Sequence, residues 1–407
     1  MKSFDKKPEL LAPAGNFEKM EIAFHYGADA VYLAGKDFSL RNFSGNFSEQ
    51  ELIDAVRYAE ERSKKIYLAC NVYSRNEEQK RLESYLETIG RIAPHAIILS
   101  DPGILRLVQR ILPDIDIHLS TQANTTNLNA VKFWEDQGIK RVNLARELSL
   151  SEIGEIAESV TAETEIFIHG AMCISYSGRC LLSSFLSMRD SNRGLCSHPC
   201  RWKYSLVEEQ RPGEFHPLLE DDRGSYILNS KDLCMIDYIP DIISSGVDSV
   251  KIEGRMKGIN YVASVVKTYR EAIDSYCTDP SGYSTRREWI RELDSLFHRD
   301  YCTGFYFNRP DRALVNHENR HGGKIHAFIG KVVTTGENNT CTVRIRNRLR
   351  KEDRIEILSP GKDNREVVIK EMMDSGHDPV QAVNPNTDAV LVLDAPANRS
   401  DIIRKLA

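Results

Sequence analysis

The sequence lacks any long apolar run. No stretch approaches the roughly 18 consecutive apolar residues of a transmembrane helix, so no membrane span is expected. The first residues, MKSFDKKPELLAPAG, lack the apolar core of a secretory signal. Both absences predict a cytoplasmic protein, in which stable disulfides are not expected. Basic residues are not in excess either: the formal net charge is −5, which argues against an overall basic surface for DNA or RNA.

Cysteine, by contrast, is concentrated in one region. Four of the nine cysteines, Cys173, Cys180, Cys196 and Cys200, lie between residues 173 and 200, and Cys234 follows in LNSKDLCMID. Thiolates grouped in this way bind a metal centre, form disulfides or hold a nucleophile. Because a cytoplasmic location disfavours disulfides, metal binding is the favoured interpretation.

The cysteine spacing favours an iron–sulfur cluster. Structural zinc sites more often show two CxxC-like pairs, whereas this chain has C-x6-C followed by C-x3-C. A cluster needs four thiolates, which can come from well-separated segments. A zinc site, a redox or nucleophilic cysteine pair and simple buried thiols stay open as alternatives. Burial as a small apolar side chain is the expectation for Cys70, Cys277, Cys302 and Cys341.

Strands alternate with helices over the first 170 residues. Seven short apolar or β-branched runs are each followed by an amphipathic stretch, at 9–15, 30–35, 65–72, 96–101, 117–124, 141–148 and 165–170. This alternation predicts parallel strands joined by crossover helices. With SVKIEG (249–254) as an eighth strand, we predict an α/β fold of the TIM-like barrel type, with an open doubly wound sheet as the alternative. KYSLVEE and SYILNS would then form a hairpin inserted after the cysteines.

The chain is therefore divided into three regions. Residues 1–257 form the TIM-like, possibly distorted barrel, with the cysteine-bearing insertion around 171–225; residues 258–324 form a helical extension and connector. Residues 325–407 form a small all-β domain, predicted as a barrel of five or six strands from short runs separated by turn residues. Such domains contact nucleic acid or protein, or are inert appendages, and both remain open.

In a barrel of this type, the carboxyl ends of the strands carry the chemistry. The polar residues at those ends are Asn71, Asp101, Gln122, Asn124, Arg146, Glu147, His169, Lys251, Glu253 and Arg255. His169 is either a satisfied buried histidine or a proton-transfer group beside the cysteines. Glu253 is either a structural ion-pair partner or an acid–base group.

Two local clusters of basic residues could bind phosphate. Arg189, Arg193 and Arg201 surround the cysteines, and a second cluster occupies RIRNRLRK near residues 344–351. A solvated charged surface is an equally good interpretation of each cluster alone.

The run EIFIHGAMCISYSGRCLLS, from Glu165 to Ser183, resembles the signature of the collagenase-like proteins of peptidase family U32 at every specified position. ELLAPAG, NRGLC…CRW and KIEGRMK are also similar to that family. The resemblance covers residues 9 to about 257, and the small β domain resembles the carboxyl-terminal domain of the longer members. Around the cysteines, neither GxSxG nor HExxH occurs, so the peptidase activity implied by the family name lacks its usual motifs there; a Cys173–His169 dyad remains an alternative.

The resemblance implies a different activity. Relatives are iron–sulfur proteins of oxygen-independent hydroxylation, and this chain looks most like the branch that forms 5-hydroxyuridine at the tRNA wobble position with prephenate. Hydroxylation of a ribosomal RNA cytidine or of a quinone precursor is the alternative, together with a peptidase or a zinc-bound adaptor.

By this resemblance the ligands of a 4Fe-4S cluster are Cys173, Cys180, Cys234 and either Cys196 or Cys200. His169, Glu253 and Arg146 are the candidate catalytic residues. Carboxylates of a prephenate-like co-substrate would be held by Arg146, Arg189, Arg193 and Lys251. The expected partners are tRNA and a paired family member, with no DNA and no membrane.

Overall fold

The structure is a computed structural model, which describes most of the chain: residues 6–38, 45–173, 175–201, 220–221, 224–225, 231–307 and 326–406. KYSLVEE (203–209) and most of SYILNS (225–230), the predicted hairpin, lie outside these residues. A two-stranded ladder of β8 (Glu220–Asp221) and β9 (Gly224–Ser225) is described next to them.

Eight parallel strands close into a barrel. They are β1 (Glu9–Pro13), β2 (Ala30–Leu33), β3 (Lys65–Ala69), β4 (Ala96–Leu99), β5 (Asp116–Leu119), β6 (Arg141–Asn143), β7 (Glu163–Ala171) and β11 (Ser249–Ile252). Each pairs with the next, and β11 pairs with both β7 and β1. The predicted TIM-like fold is thus confirmed, and the open-sheet alternative is wrong because SVKIEG joins the two ends of the sheet.

Helices outside the barrel follow the strands. They are α1 (Phe17–His25), α2 (Glu49–Glu60), α3 (Gln79–Ile92), α4 (Pro102–Ile111), α5 (Leu128–Asp136), α6 (Leu150–Ser159) and α8 (Ile239–Ser244). Their start points are encoded locally: Ser48 and Glu51 form a capping box at α2, and Ser149 and Glu152 form one at α6. Within the described part of the chain, every helix is too short or too polar to cross a bilayer.

The segment after β7 adds α7 (Leu182–Ser187) and then β10 (Asp232–Cys234), which runs antiparallel to the end of β7. In that ladder, Cys234 stands opposite His169. Two further helices, α9 (Ile259–Thr278) and α10 (Arg287–Asp294), pack against the barrel, and β12 (Tyr301–Cys302) pairs with β10.

The carboxyl-terminal domain is built on a seven-stranded antiparallel sheet. Its strands are β13 (His326–Thr335), β14 (Thr340–Ile345), β16 (Ile355–Leu358), β17 (Arg365–Val367), β18 (Ile369–Met373), β20 (Asp388–Leu393) and β21 (Ile402–Leu406). A short ladder pairs β15 (Leu349–Arg350) with β19 (Ala382–Val383). The sequence predicted five or six strands; REVVIKEM divides at Val368, and β21 was missed.

The two domains share a buried boundary. The hydroxyl of Tyr26, on α1, donates to Leu358 O (2.6 Å) and accepts from Ile402 N (3.1 Å). Arg404, on β21, is fully buried and donates to both carboxylate oxygens of Glu292 on α10, and to Glu356 on β16. We refer to Arg404, Glu292 and Glu356 as the boundary triad. Because its members come from both domains, the ion pairs fix the sheet against the barrel.

Candidate active site

A cavity of about 190 Å³ opens at the carboxyl ends of the barrel strands. Its lining includes strand-end residues that the sequence singled out, namely Asn71, Gln122, Arg146, Lys251, Glu253 and Arg255, and four cysteines. Pockets for drug-sized ligands begin at about 300 Å³. This cavity therefore suits a small ligand or a single base better than a length of polymer.

The floor of the cavity rests on a buried carboxylate. Glu165 accepts hydrogen bonds from Lys251 Nζ (2.9 Å), Asn143 Nδ2 (2.8 Å) and Ser249 Oγ (3.1 Å). Arg141 lies 3.4 Å away and also pairs with Glu9 and Glu163. Burial alone would raise the pKa of Glu165, but the charges of Lys251 and Arg141 outweigh it and hold that pKa at about 2.

The partners of Lys251 correct one expectation. Lys251 was predicted to hold a co-substrate carboxylate, yet its ammonium is already paired with Glu165 and lies over the Tyr32 ring, 4.6 Å from its centre. Lys251 does line the cavity, but a ligand would have to share it with Glu165. Glu165 and Asn143 were not predicted as site residues. They could have been found from the sequence, because each is a polar residue in an otherwise apolar barrel strand. A charge buried there without a partner would be costly, so such a residue is expected to have one.

Arg146 connects three strand ends. Its Nη1 donates to Ala171 O (2.8 Å), its Nη2 lies 3.6 Å from Glu253, and its guanidinium stacks over Phe167, 3.8 Å from the ring centre. Both predicted residues, Arg146 and Glu253, therefore face the cavity as a pair. Gly170 makes this approach possible: its φ is +107°, and a Cβ there would lie 2.5 Å from Glu253 O.

Arg255 joins two of the sequence motifs. Its side chain is buried and donates to Asn46 Oδ1 (3.1 Å), while its carbonyl accepts from Lys19 Nζ. A Cβ at Gly15 would lie 2.5 Å from that same carbonyl. The ELLAPAG and KIEGRMK runs therefore pack directly together beside the cavity.

Four cysteines line this cavity: Cys173, Cys180, Cys196 and Cys200. Cys173 is exposed and the other three are half-buried, and all of them are free thiols. Cys196 Sγ accepts from the backbone N–H of His198 (3.4 Å). Among the described residues, no three His, Cys, Asp or Glu side chains are close enough together to hold a metal ion. The thiols therefore share one cavity without forming a ready-made ligand set.

Cys234 has different surroundings from the other four cysteines. It is absent from the lining of the cavity, and its Sγ lies 3.8 Å from the hydroxyl of Tyr269 on α9. Burial raises the pKa of the Cys234 thiol to about 12. Its assignment as a cluster ligand stays a prediction.

His169 faces the same side as Cys234 rather than the cavity. Its Nδ1 lies 3.3 Å from the Tyr269 hydroxyl, its ring contacts Tyr261 and Tyr301, and burial lowers its pKa to about 3. No hydrogen bond joins it to Cys173 in the described residues, so the Cys173–His169 dyad is not formed. This placement favours a structural role over the predicted catalytic one.

A register shift explains the orientation of His169. Phe167 stands opposite Lys251, but His169 stands opposite Ile252, so Ile168 is an extra residue on β7. Strict alternation along Glu165, Phe167 and His169 would have directed the imidazole into the barrel. The bulge redirects it outward.

Of the three arginines predicted to hold carboxylates, Arg146 lines the cavity. Arg189 is exposed and does not line it, and the side chain of Arg193 lies outside the described residues.

The second basic cluster, RIRNRLRK, was a candidate for phosphate binding. In it, Arg344 is paired with Asp388 (3.1 Å) and Arg346 with Glu18 (3.3 Å). Of that basic cluster, Arg348 is exposed and makes no ion pair within the described residues.

Comparison with known proteins gives a consistent result. The sequence profile of peptidase family U32 matches residues 15–316, and that of the peptidase family U32 C-terminal domain matches residues 324–404. The tRNA hydroxylation protein P1 of Bacillus subtilis (strain 168) is 41% identical over 98% of this chain and 95% of its own length. The tRNA hydroxylation protein P of Escherichia coli (strain K12) is 36% identical over 87% of this chain and 86% of its own length. A protein named collagenase from Porphyromonas gingivalis (strain ATCC BAA-308 / W83) is 30% identical over 74% of each chain.

Proposed function

The chain belongs to peptidase family U32, as its signature motif predicted, and from this premise we propose that it acts in the hydroxylation of tRNA. A relative named for that process aligns with 98% of the chain, the carboxyl-terminal domain included. The observation that carries the proposal is the cavity, where four free thiols and the Arg146–Glu253 pair meet at the carboxyl end of the barrel.

The proposed product is 5-hydroxyuridine at the wobble position, formed without O₂ from a prephenate-derived oxygen donor. The charge of the cavity supports an anionic co-substrate, because the described residues of its lining include Arg146, Lys251 and Arg255 but only one carboxylate, Glu253. Guanidinium groups pair bidentately with carboxylates. Since Lys251 is held by Glu165, we assign the first contact to Arg146, whose second nitrogen lies 3.6 Å from Glu253 and can exchange partners.

We further propose that the thiols hold a 4Fe-4S cluster. The donor chemistry fits: four of the five candidate thiols line one cavity, and Cys173, Cys180, Cys234 with Cys196 or Cys200 would be the ligands. A bound cluster would supply electron transfer at the cavity. Among the described residues, no three His, Cys, Asp or Glu side chains are grouped closely enough to hold a single metal ion.

The target base must leave its stack to enter so small a cavity. Arg348, in the carboxyl-terminal domain, is one exposed cation available to an RNA phosphate. A paired family member remains the proposed protein partner.

The decisive experiment replaces Cys173 and Cys180 together by Ala. We expect 5-hydroxyuridine in bulk tRNA, measured by mass spectrometry in a strain that carries only the variant, to disappear. Iron and sulfide in the anaerobically purified protein should fall with it. Cys341→Ala, which removes a buried thiol of the carboxyl-terminal domain, is the matched control. Normal tRNA modification in the double variant would refute the proposal, and colourless protein with zinc would point to the adaptor alternative.

One sequence observation favours a peptidase as the second candidate. Residues 317–321 read HENRH, which fits the HExxH pattern whose histidines bind zinc and whose glutamate acts as general base. These residues lie outside the described part of the chain. Cleavage of denatured collagen by the purified protein, lost in His317→Ala and retained after removal of iron, would support this candidate; absence of cleavage with added zinc would dismiss it.

A further inference from the structure

A second, open depression adjoins the cavity. This groove has a volume of about 780 Å³ and is lined by Asn124, Thr126, Glu147, Leu148, Glu152, Ser175, Tyr176 and Arg179. Ser175 and Tyr176 line the cavity as well. The groove and the cavity therefore share one wall, and a chain lying in the groove can insert one unit into the cavity.

The shared wall presents an aromatic ring and a cation. Tyr176, which lines both the groove and the cavity, is 51% exposed. Arg179 is exposed and makes no ion pair within the described residues. An exposed aromatic ring beside a free guanidinium is the combination on which unpaired bases stack and phosphates bind. Neither residue is used by the proposed co-substrate or by the cluster.

The wall is held in place by a tight turn. Arg179 N donates to Tyr176 O (3.1 Å), and Gly178 between them has a φ of +76°. A Cβ at Gly178 would lie 2.9 Å from the Tyr73 hydroxyl and 3.1 Å from Gln122 O. The backbone of the turn is thus seated against the ends of the barrel strands.

Two carboxylates, Glu147 and Glu152, also line the groove. Glu152 is engaged at the start of α6, where it accepts from Ser149 N and Oγ. Burial raises the pKa of Glu147. A phosphate is favoured at Arg179, the cation in the groove lining, and a neighbouring base at Tyr176.

Deepening the proposed tRNA function, on which this inference rests, we propose that Tyr176 and Arg179 bind the nucleotide next to the target base. The neighbouring base stacks on Tyr176, its phosphate pairs with Arg179, and the target base enters the cavity. The substrate is thereby a single-stranded loop, because a base inside a duplex has no free face for Tyr176.

The test measures binding of a synthetic RNA stem–loop with an unpaired uridine in its loop to the full-length, anaerobically purified protein. Tyr176→Ala is expected to bind about 5- to 30-fold more weakly, as loss of one stacked base predicts. Tyr176→Phe, which keeps the ring, should match the parent protein. Arg179→Ala should weaken binding and make it less dependent on salt, whereas Arg179→Lys should restore most of both. Phe133→Ala removes a comparably exposed ring on α5, outside both depressions, and should change nothing.

Iron content, measured for every variant, separates stacking from an effect on the neighbouring thiols. If Tyr176→Ala loses iron, Tyr176→Phe and Tyr176→Leu become the test pair, with weaker binding expected only for Leu. In turnover, the loss should appear in KM for RNA rather than in kcat. Unchanged affinity and KM in an active Tyr176→Ala or Tyr176→Leu protein would overturn the stacking site alone. A parent protein that neither binds nor hydroxylates RNA would overturn the proposed function with it.

Discussion

Two buried charge networks in this protein look alike and differ in what they leave available. At the cavity floor, Glu165 holds Lys251 and Asn143, and both of these also line the cavity. In the boundary triad, Arg404 is fully buried and forms ion pairs with Glu292 and Glu356. The first network presents polar groups to a ligand, whereas the second only joins two domains.

The networks also differ in how they tolerate damage. Lysine can lose its proton when it is left unpaired in the interior, whereas arginine remains charged. Arg141, the one arginine at the floor network, keeps Glu9 and Glu163 if Glu165 is lost. If Glu292 is lost from the boundary triad, Arg404 keeps only one carboxylate partner among the described residues, Glu356. Stability should therefore depend more on the domain boundary than on the site.

Glu292→Ala should produce the largest loss of stability. It leaves Arg404 buried with one carboxylate, and breaking a buried pair costs about 3–5 kcal/mol. Urea unfolding should show this decrease, and proteolysis should release the carboxyl-terminal domain early. A decrease smaller than that of Glu165→Gln would reverse the proposed ranking.

Acid should weaken both networks in one pH window. The pKa values of Glu165 and Glu292 are both held at about 2 in the folded protein, below the ordinary value of 4.5. For Glu292, burial alone would raise the pKa, and Arg404 outweighs it. A lowered pKa stabilises the fold above pH 4.5, and this contribution, about 3 kcal/mol for each group, disappears as pH falls towards 2.

Free energies of unfolding measured between pH 4.5 and about pH 2 test whether stability falls as the pH decreases. Glu165→Gln should flatten part of the slope, cost less at pH 7 than Glu292→Ala, and reduce RNA hydroxylation because Lys251 and Asn143 lose their common partner. An unchanged slope in the Glu165→Gln protein would show that Glu165 is not ionised at the floor.

Gly170→Ala should have a smaller effect on stability but a direct one on the site. A Cβ there meets Glu253 O at 2.5 Å, and the backbone has a φ of +107°, so we expect a cost of about 1–3 kcal/mol. Because the contact displaces Glu253, which pairs with Arg146 at the cavity, kcat should fall even where the protein is fully folded. Gly361→Ala, at an open turn with a φ of +63°, is the matched control for backbone strain alone.

Glu366→Ala should have the smallest effect. Glu366 pairs with Arg354 on the surface at 2.7 Å, and an ion pair between exposed side chains adds little to stability. Its Tm should equal that of the parent protein. A clear decrease would show that surface pairs of the carboxyl-terminal domain matter as much as the buried triad.

Much of the fold could be predicted because its signals are local. Each barrel strand is a short apolar run, and SVKIEG provided the eighth. By contrast, β21 escaped prediction because IIRKL contains two basic residues, and the burial of Arg404 depends on Glu292, which lies more than a hundred positions earlier in the chain. Hydrophobic patterns cannot indicate such pairing.

The site was predictable in its residues more than in its arrangement. Arg146, Glu253 and four cysteines do lie around one cavity, because strand ends in a closed barrel converge. The pairing of Lys251 with Glu165 was not foreseen, since it requires the register of β7 and β11. The separate position of Cys234 follows from the antiparallel course of β10, which no local pattern reveals.

The additional residue in β7 has a consequence for evolution and for engineering. Ile168 acts as a one-residue spacer, and its carbonyl is held by Tyr269 and by Met235 N. Removing one residue at that point would turn the imidazole of His169 towards the cavity. The strand would then present a titratable histidine to the substrate, which it does not do now. Length, rather than composition, thus decides which chemistry this edge of the barrel can offer.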